Sequence, residues 1–272
     1  MEMIFTDYKY KDNLLNFTIK QNEINGIIGK ETSELINIIK LKNISNGKII
    51  INNNEIDKKQ LNYLKNKIVY VNFEKKEMIY QQTIYDLLYY EIISRKLKLK
   101  NPLKKIQESL KIVGLSDEIL IRNYYSLSTS EKKLVLLAKS LLSNPEVLIL
   151  ENLFKFLDMK NEKRIVMLLN KMKDQYQKTI IIVSNNTDKI YKYTSHLIIF
   201  KNNKILIEGN TINIFQRISF LTKNKIAIPE IVEFTYLANK QKKANLEYHK
   251  DIRDIIKDIY KHVRRWNNAL FN

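Results

Sequence analysis

The sequence predicts an α/β fold: a parallel core sheet with helices on both faces, an antiparallel β region at the N-terminus and a small helical extension at the C-terminus. Three observations predict it. Short apolar runs recur at 24–28, 68–71, 147–150, 180–183 and 197–200, as strands buried on both faces require. Helical periodicity fills much of the chain between them, which is the rhythm of a covered parallel sheet. Residues 3–21 alternate apolar and polar, the pattern of edge β-strands.

Taken in order, residues 4–10 and 14–19 are those edge strands, and Ile24, Ile27 and Ile28 mark the first core strand. Gly29 opens a turn, and Leu35, Ile36, Ile38 and Ile39 begin a helix. Residues 47–54 read as a strand running into a turn, and 68–71 as a second core strand. From Thr83 to about Leu142 the pattern is helical. Ile84, Leu87, Leu88, Ile92 and Ile93 recur at helical spacing, Pro102 starts another helix that Gly114 ends, and Leu134, Leu137, Ala138, Leu141 and Leu142 line a third that Pro145 stops. After Gly209 the chain changes character. Ile231, Phe234 and Leu237 follow Pro229 at helical spacing, and Ile252, Ile255, Ile256, Ile259, Tyr260 and Val263 form an amphipathic stripe. That stripe fits equally a helix packed on its own domain and a dimer or partner surface.

Composition bounds the chemistry. The 272 residues suffice for one large α/β domain and a small appendage, and a hydrophobic content of 44% builds a full core. With no Cys there is no disulfide, thiolate metal site or Cys nucleophile, and His196, His249 and His262 are too widely spaced in sequence to suggest a His metal cluster. The first residues lack the order of a signal peptide, and no run of about 18 apolar residues occurs, so a cytoplasmic protein is expected. The net charge of +18 would suit nucleic acid or an anionic membrane. Yet only seven of the 47 basic residues are Arg, amid abundant Lys, Asn and Ile. That usage matches AT-rich coding, no basic block is interleaved with aromatics, and nucleic acid is not expected as a partner.

The stretch from Asn22 to Asn37 has the outline of a strand, a phosphate-binding turn and a helix. The pattern G-x-x-x-x-G-K-[ST] places backbone N–H groups and a Lys on phosphates and a hydroxyl on Mg²⁺. Laid on from Gly29, it runs through Lys30, Glu31, Thr32 and Ser33, puts Glu34 at the second Gly, Leu35 at the Lys and Ile36 at the Ser/Thr. The scaffold is present and the chemistry is absent.

Read together, these segments resemble the ATP-binding subunit of ABC transporters, and most of all the ATPase subunits of energy-coupling-factor (ECF) vitamin and metal importers. The resemblance covers roughly residues 3–220, and the tail is similar to the C-terminal extension of those subunits. It implies an ABC-type P-loop NTPase fold over residues 1–215, with a helical subdomain at about 83–142, and a C-terminal helical extension over 216–272 as a dimerisation element. By this resemblance Tyr10 falls where an aromatic stacks on adenine, with Tyr8 as a substitute, and Gly29 to Ile36 is a degenerate Walker A. Phe73 stands at the Q-loop Gln, and Met78-Ile79-Tyr80 would face the membrane subunit. Leu127-Ser128-Thr129-Ser130-Glu131 holds the signature position with both glycines replaced; Ser128 and Glu131 also satisfy a capping box. Glu151 stands at the Mg²⁺-linked Asp of Walker B, and Asn152 at the Glu that activates water, where an amide cannot take a proton. Leu157-Asp158 matches the D-loop, and Asn185 replaces the switch His.

The expectation is a degenerate cassette subunit of an ECF-type importer. It would pair with an active ATPase subunit, as a heterodimer, and dock a transmembrane coupling subunit from the inner face of the membrane. No catalytic residue is expected, with Glu151, Asn152 and Asn185 at the degenerate positions. ATP and Mg²⁺ would bind weakly and are not required, Glu151 being the carboxylate able to hold a metal. The alternatives are a non-transport adaptor or regulator that uses its basic surface, and an ATPase that works through Lys30 and Glu151.

Overall fold

The computed structural model describes residues 1–42, 47–57, 59–75, 79–242 and 244–270, and side chains as far as Lys261. Met78 and the side chain of Val263 therefore lie outside the described residues. The chain runs β1 (Met3–Tyr10), β2 (Asn13–Ile19), β3 (Ile24–Ile28), α1 (Thr32–Ile39), β4 (Lys48–Ile51), β5 (Asn54–Glu55), α2 (Leu61–Asn66) and β6 (Ile68–Asn72). Then come α3 (Ile84–Ser94), α4 (Pro102–Val113), two 3₁₀ turns, α5 (Thr129–Leu141), β7 (Val147–Glu151), α6 (Met159–Asp174) and β8 (Thr179–Val183). The chain closes with α7 (Thr187–Tyr193), β9 (His196–Lys201), β10 (Lys204–Asn210), α8 (Thr211–Phe215), α9 (Ile218–Lys223), α10 (Glu230–Lys242) and α11 (Ile252–Leu270).

Two sheets form, in the orders β2-β1-β4-β5 and β10-β9-β3-β8-β7-β6. The pairs β9/β3, β3/β8, β8/β7 and β7/β6 are parallel, and β10 closes the edge antiparallel to β9. The continuous apolar runs have their expected cause. In β7, Leu148 and Leu150 face one core while Val147 and Ile149 face another, and β8 divides likewise between Ile180, Ile182 and Ile181, Val183. The first core lies against the helices, the second beneath β1, β2 and α1. The two sheets join where the Glu208 carboxylate of β10 accepts the Thr18 N–H of β2 at 3.0 and 3.1 Å. β1 is an inner strand of its sheet, flanked by β2 and β4, rather than an edge.

Helix ends follow the local sequence. Thr83 caps α3 in a capping box with Asp86, Asn101 caps α4 with Pro102 behind it, and Gly114 ends α4 at φ 72°. The C-terminal helices form where the spacing places them, with much of their apolar face exposed. In α10 the packed residues are Val232 and Thr235, while Phe234 and Leu237 are exposed and Ile231 half-buried. In α11 Ile255 is buried, and Ile252, Ile256 and Tyr260 are exposed. Helical spacing identifies a face, but which face packs depends on the partner surface.

Candidate functional site

In an open parallel sheet, ligand sites lie beyond the carboxyl ends of the strands. Here β3, β6, β7 and β8 end together, presenting Gly29, Asn72, Glu151 and Ser184-Asn185.

At β3 the connection to α1 is Gly29-Lys30-Glu31 alone. Gly29 is required by close approach: a Cβ there would stand 2.2 Å from the Phe200 carbonyl oxygen of β9. The Gly29 N–H donates to Asn185 Oδ1 at 3.2 Å, so the amide at the end of β8 ties off the turn. Glu31 is the capping residue of α1, without a side-chain cap hydrogen bond. Lys30 and Ser33 are exposed, Glu34 is half-buried and Thr32 is buried. Leu35 and Ile36 lie one turn into α1, fully buried in the second core at 0% and 2% exposure. The eight-residue spacing laid on from Gly29 therefore does not describe this turn. The helix begins three residues after Gly29, and positions 34–36 belong to its body.

At β6 and β7 the Glu151 carboxylate is engaged by the protein. Tyr70 Oη donates to Glu151 Oε2, and Asn72 Nδ2 donates to the same oxygen at 2.7 Å. Burial, then the bond to Glu151, pushes the Tyr70 phenol up to about 12. Phe73 follows β6, donates its N–H to the Glu151 carbonyl at 3.0 Å and packs against the first core. Asn152 sits at φ 58°, a left-handed conformation that Asn tolerates, and its N–H donates to the Val183 carbonyl at 3.0 Å.

Lys133 was not legible as part of this region. It is 5% exposed on α5, and its ammonium donates to the carbonyls of Leu153 and Lys155, both at 2.5 Å. It thereby clamps the turn after β7, and burial pushes its pKa down to about 8. A Lys one helical turn before Leu137 on a packed face was the available signal.

The remaining candidates stand apart. Ser128 and Glu131 form the expected capping box at the start of α5: Ser128 N donates to Glu131 Oε2 at 2.8 Å and Glu131 N to Ser128 Oγ at 3.3 Å. Arg122 pairs with Glu131 at 2.7 Å. Leu127 is buried, Thr129 exposed and Ser130 half-buried. Asp158 caps α6. Tyr8 is fully buried, edge-on to Phe5 at 5.9 Å, so it offers no face to a base. Tyr10 is half-buried with its hydroxyl inside the protein and Lys11 5.2 Å from its ring centroid. No described hydrogen bond or ion pair links Tyr10 or Ser128 to the Gly29 turn. Elsewhere, Glu247, His249 and Asp258 each bring a ligand-type atom within 4.8 Å of the others. His249 and Asp258 already pair at 2.6 Å, tying the segment before α11 to that helix.

A family model described as ABC transporter matches residues 13–154. The energy-coupling factor transporter ATP-binding protein EcfA2 of Acetivibrio thermocellus is 26% identical over 96% of this chain and 94% of its own length. Among solved structures, cbiO1 of Clostridium perfringens, part of the ABC transporter complex cbiONQ, overlays with a TM-score of 0.68 at 24% identity, over 86% of this chain and 98% of its own. The dimeric ABC transporter cassette MJ0796 overlays at 0.61 and 21% identity, over 78% and 99%.

Proposed function

The chain belongs to the ABC transporter family, and from that premise we propose that it is the cassette subunit of an ECF-type importer that assembles without turning over ATP at its own loop. The names of relatives such as EcfA2 support the importer. The observation that carries the loss of turnover is the three-residue turn after β3. It has one glycine, only three residues between β3 and α1, and no Lys in the first turn of α1. The Glu151 oxygen held by Tyr70 and Asn72 and the amide at Asn152 point the same way.

In a head-to-tail pair, each nucleotide is held by one subunit's Walker A and covered by the other's signature. This chain's own site is inactive, while Ser128 completes the partner's. Its hydroxyl accepts the Glu131 N–H and stands exposed at the start of α5, where it can meet a phosphate oxygen of the partner's nucleotide. Residues 1–215 act as the cassette, and 216–272 pair with an intact ATPase subunit through the exposed faces of α10 and α11. No described helix is long and apolar enough to cross a membrane, and the membrane subunit is engaged from the cytoplasmic side.

The test is ATP affinity of the purified chain with Mg²⁺, by calorimetry and nucleotide-induced thermal shift. The expected result is no saturable binding at millimolar ATP and no turnover above contaminant controls. Tight saturable binding, or hydrolysis that survives those controls, would overturn the proposal.

A further inference from the structure

Glu247, His249 and Asp258 meet at one point on the C-terminal extension, each with a ligand-type atom within 4.8 Å of the other two. Glu247 and His249 flank Tyr248, which packs against the first core. Asp258 comes from the second turn of α11. The segment that carries the first two is pinned at both ends. Asn239 of α10 accepts the Leu246 N–H at 2.7 Å and donates to the Leu246 carbonyl at 2.9 Å. Lys250 donates its ammonium to the Thr194 carbonyl just after α7. Glu247 and His249 are therefore held in place by the fold itself, the preorganisation that a metal site needs.

Hydrogen bonding accounts for two of the three groups. His249 Nε2 and Asp258 Oδ2 pair at 2.6 Å, and Lys261 stands 3.4 Å from the other oxygen of Asp258. Glu247 is left over. Among the described residues, no Lys, Arg or His forms an ion pair with it, although the chain has 47 basic residues against 29 acidic. A second carboxylate brought this close to Asp258 is opposed by like charge. A single imidazolium offsets one of the two, whereas a divalent cation offsets both.

The donor set selects the cation. Carboxylates alone would suit Mg²⁺ or Ca²⁺, which take oxygen ligands. An imidazole between them shifts the preference to zinc and its neighbours in the first transition row. Three protein ligands leave a position for water, and Glu247 is exposed, so the site opens to solvent. Ligands about 2.0–2.2 Å from zinc stand roughly 3.3 Å apart in a tetrahedral shell. His249 and Asp258 would part by less than about 1 Å, and the proton they share would leave to solvent. Lys261 is exposed and can swing clear.

We propose that Glu247, His249 and Asp258 bind a divalent transition-metal cation of the zinc type, which clips α11 to the segment anchored on the cassette. The clipped helix is the one whose exposed face carries Ile252, Ile256 and Tyr260. The site shares no residue with the Gly29 turn, and its test involves no nucleotide.

The untagged full chain, stripped with EDTA, is titrated with Zn²⁺ by calorimetry, and amide hydrogen exchange over α11 is read with and without the metal. The expected result is one Zn²⁺ per chain, saturating at micromolar concentration and not displaced by millimolar Mg²⁺. Glu247→Gln removes an exposed carboxylate that has no described bond and should weaken binding about tenfold or more. His249→Ala should weaken it at least as much, since disturbing even a ligand's support costs about 10–100-fold. Glu118→Gln, at an exposed carboxylate in the first 3₁₀ turn, should leave the affinity unchanged. Exchange over α11 should slow with Zn²⁺ in the parent and not in His249→Ala. That variant also loses the bond to Asp258, so Glu247→Gln decides the matter if circular dichroism shows it misfolded. No saturable binding, Mg²⁺ bound as tightly as Zn²⁺, or an affinity that Glu247→Gln leaves unchanged would overturn the site. Binding that leaves exchange over α11 untouched would overturn the clip.

Discussion

Gly29→Ala separates a glycine kept for the fold from one kept for a phosphate. The added methyl would stand 2.2 Å from the Phe200 carbonyl oxygen and 3.3 Å from Thr32 Cγ2. The first contact is more than about 1 Å too short for carbon against oxygen. The obstacle is strand backbone, and β3 is held on both sides by β8 and β9, so neither neighbour can step aside cheaply. Overpacking of this kind costs about 1–3 kcal/mol, and a backbone obstacle places the change near the top of that range. For a chain of this size each kcal/mol lowers Tm by about 2–4 °C, giving a drop of roughly 6–12 °C. Gly114→Ala is the comparison. There the violation is φ 72°, and the nearest atom is the movable guanidinium of Arg164 at 3.2 Å, so about 1 kcal/mol is expected. The assay is thermal unfolding by circular dichroism, with and without ATP and Mg²⁺. A variant melting within about 2 °C of the parent alone, while losing a nucleotide-induced rise in Tm, would refute the packing account and return Gly29 to phosphate binding.

Other outcomes follow from the same geometry. Tyr70→Phe removes a donor from the Glu151 carboxylate and should cost about 1.5–3 kcal/mol in urea unfolding, with Asn72 keeping its own bond; no change would mean that the phenol is idle. Ser128→Ala should cost about 1 kcal/mol at pH 7. The Ser128 N–H and hydroxyl, then Arg122, hold Glu131 below the ordinary Glu value near 4.5. A carboxylate with a depressed folded-state pKa stabilises the fold above its unfolded pKa and loses that contribution as pH falls through the folded one. The Ser128→Ala penalty should therefore shrink below about pH 4.5, and a penalty independent of pH down to 3 would exclude the Glu131 coupling. On α10, Val232→Asp should cost about 3 kcal/mol or more by burying a charge, and Phe234→Asp less than about 0.5 kcal/mol in the isolated chain. Equal costs in urea unfolding would mean that the packed face has been misassigned.

The sheet was legible because its strands are buried on both faces, which leaves an uninterrupted run such as Ile180-Ile181-Ile182 and no alternation to confuse with a helix. The Ser128 cap was legible for a local reason: it bonds within three residues of itself, as the Thr83 and Asn101 caps also do. The Gly29 turn was legible in kind and not in length. A spacing template assumes the loop it tests for, and here the hydrophobic periodicity of α1, with Leu35, Ile36, Ile38 and Ile39 all buried, already marked a helix running through positions 34–36. The bonds from Asn185 to Gly29, from Tyr70 to Glu151 and from Lys133 to the turn after β7 join residues distant in sequence, and no local pattern encodes them. Which side of α10 packs was not legible for the same reason, since Val232 and Phe234 differ only in what the fold brings opposite.

The position of β3 has a consequence for how the chain is made. None of its pairing is local: both its neighbours, β8 and β9, come from the far side of the helical stretch. During synthesis Ile24–Ile28 leaves the ribosome early, and its edges stay unpaired until residue 201 has followed. At about 5–20 residues per second that wait is on the order of 10–30 s. For that interval the nascent chain carries a short, uncharged, β-forming segment with two open edges, the kind that joins to its like in a neighbouring polysome. The lysines and asparagines crowded on either side of it, Lys20-Gln21-Asn22 before and Lys30 after, stand where charge and polarity keep such a segment apart from its copies until its partners arrive.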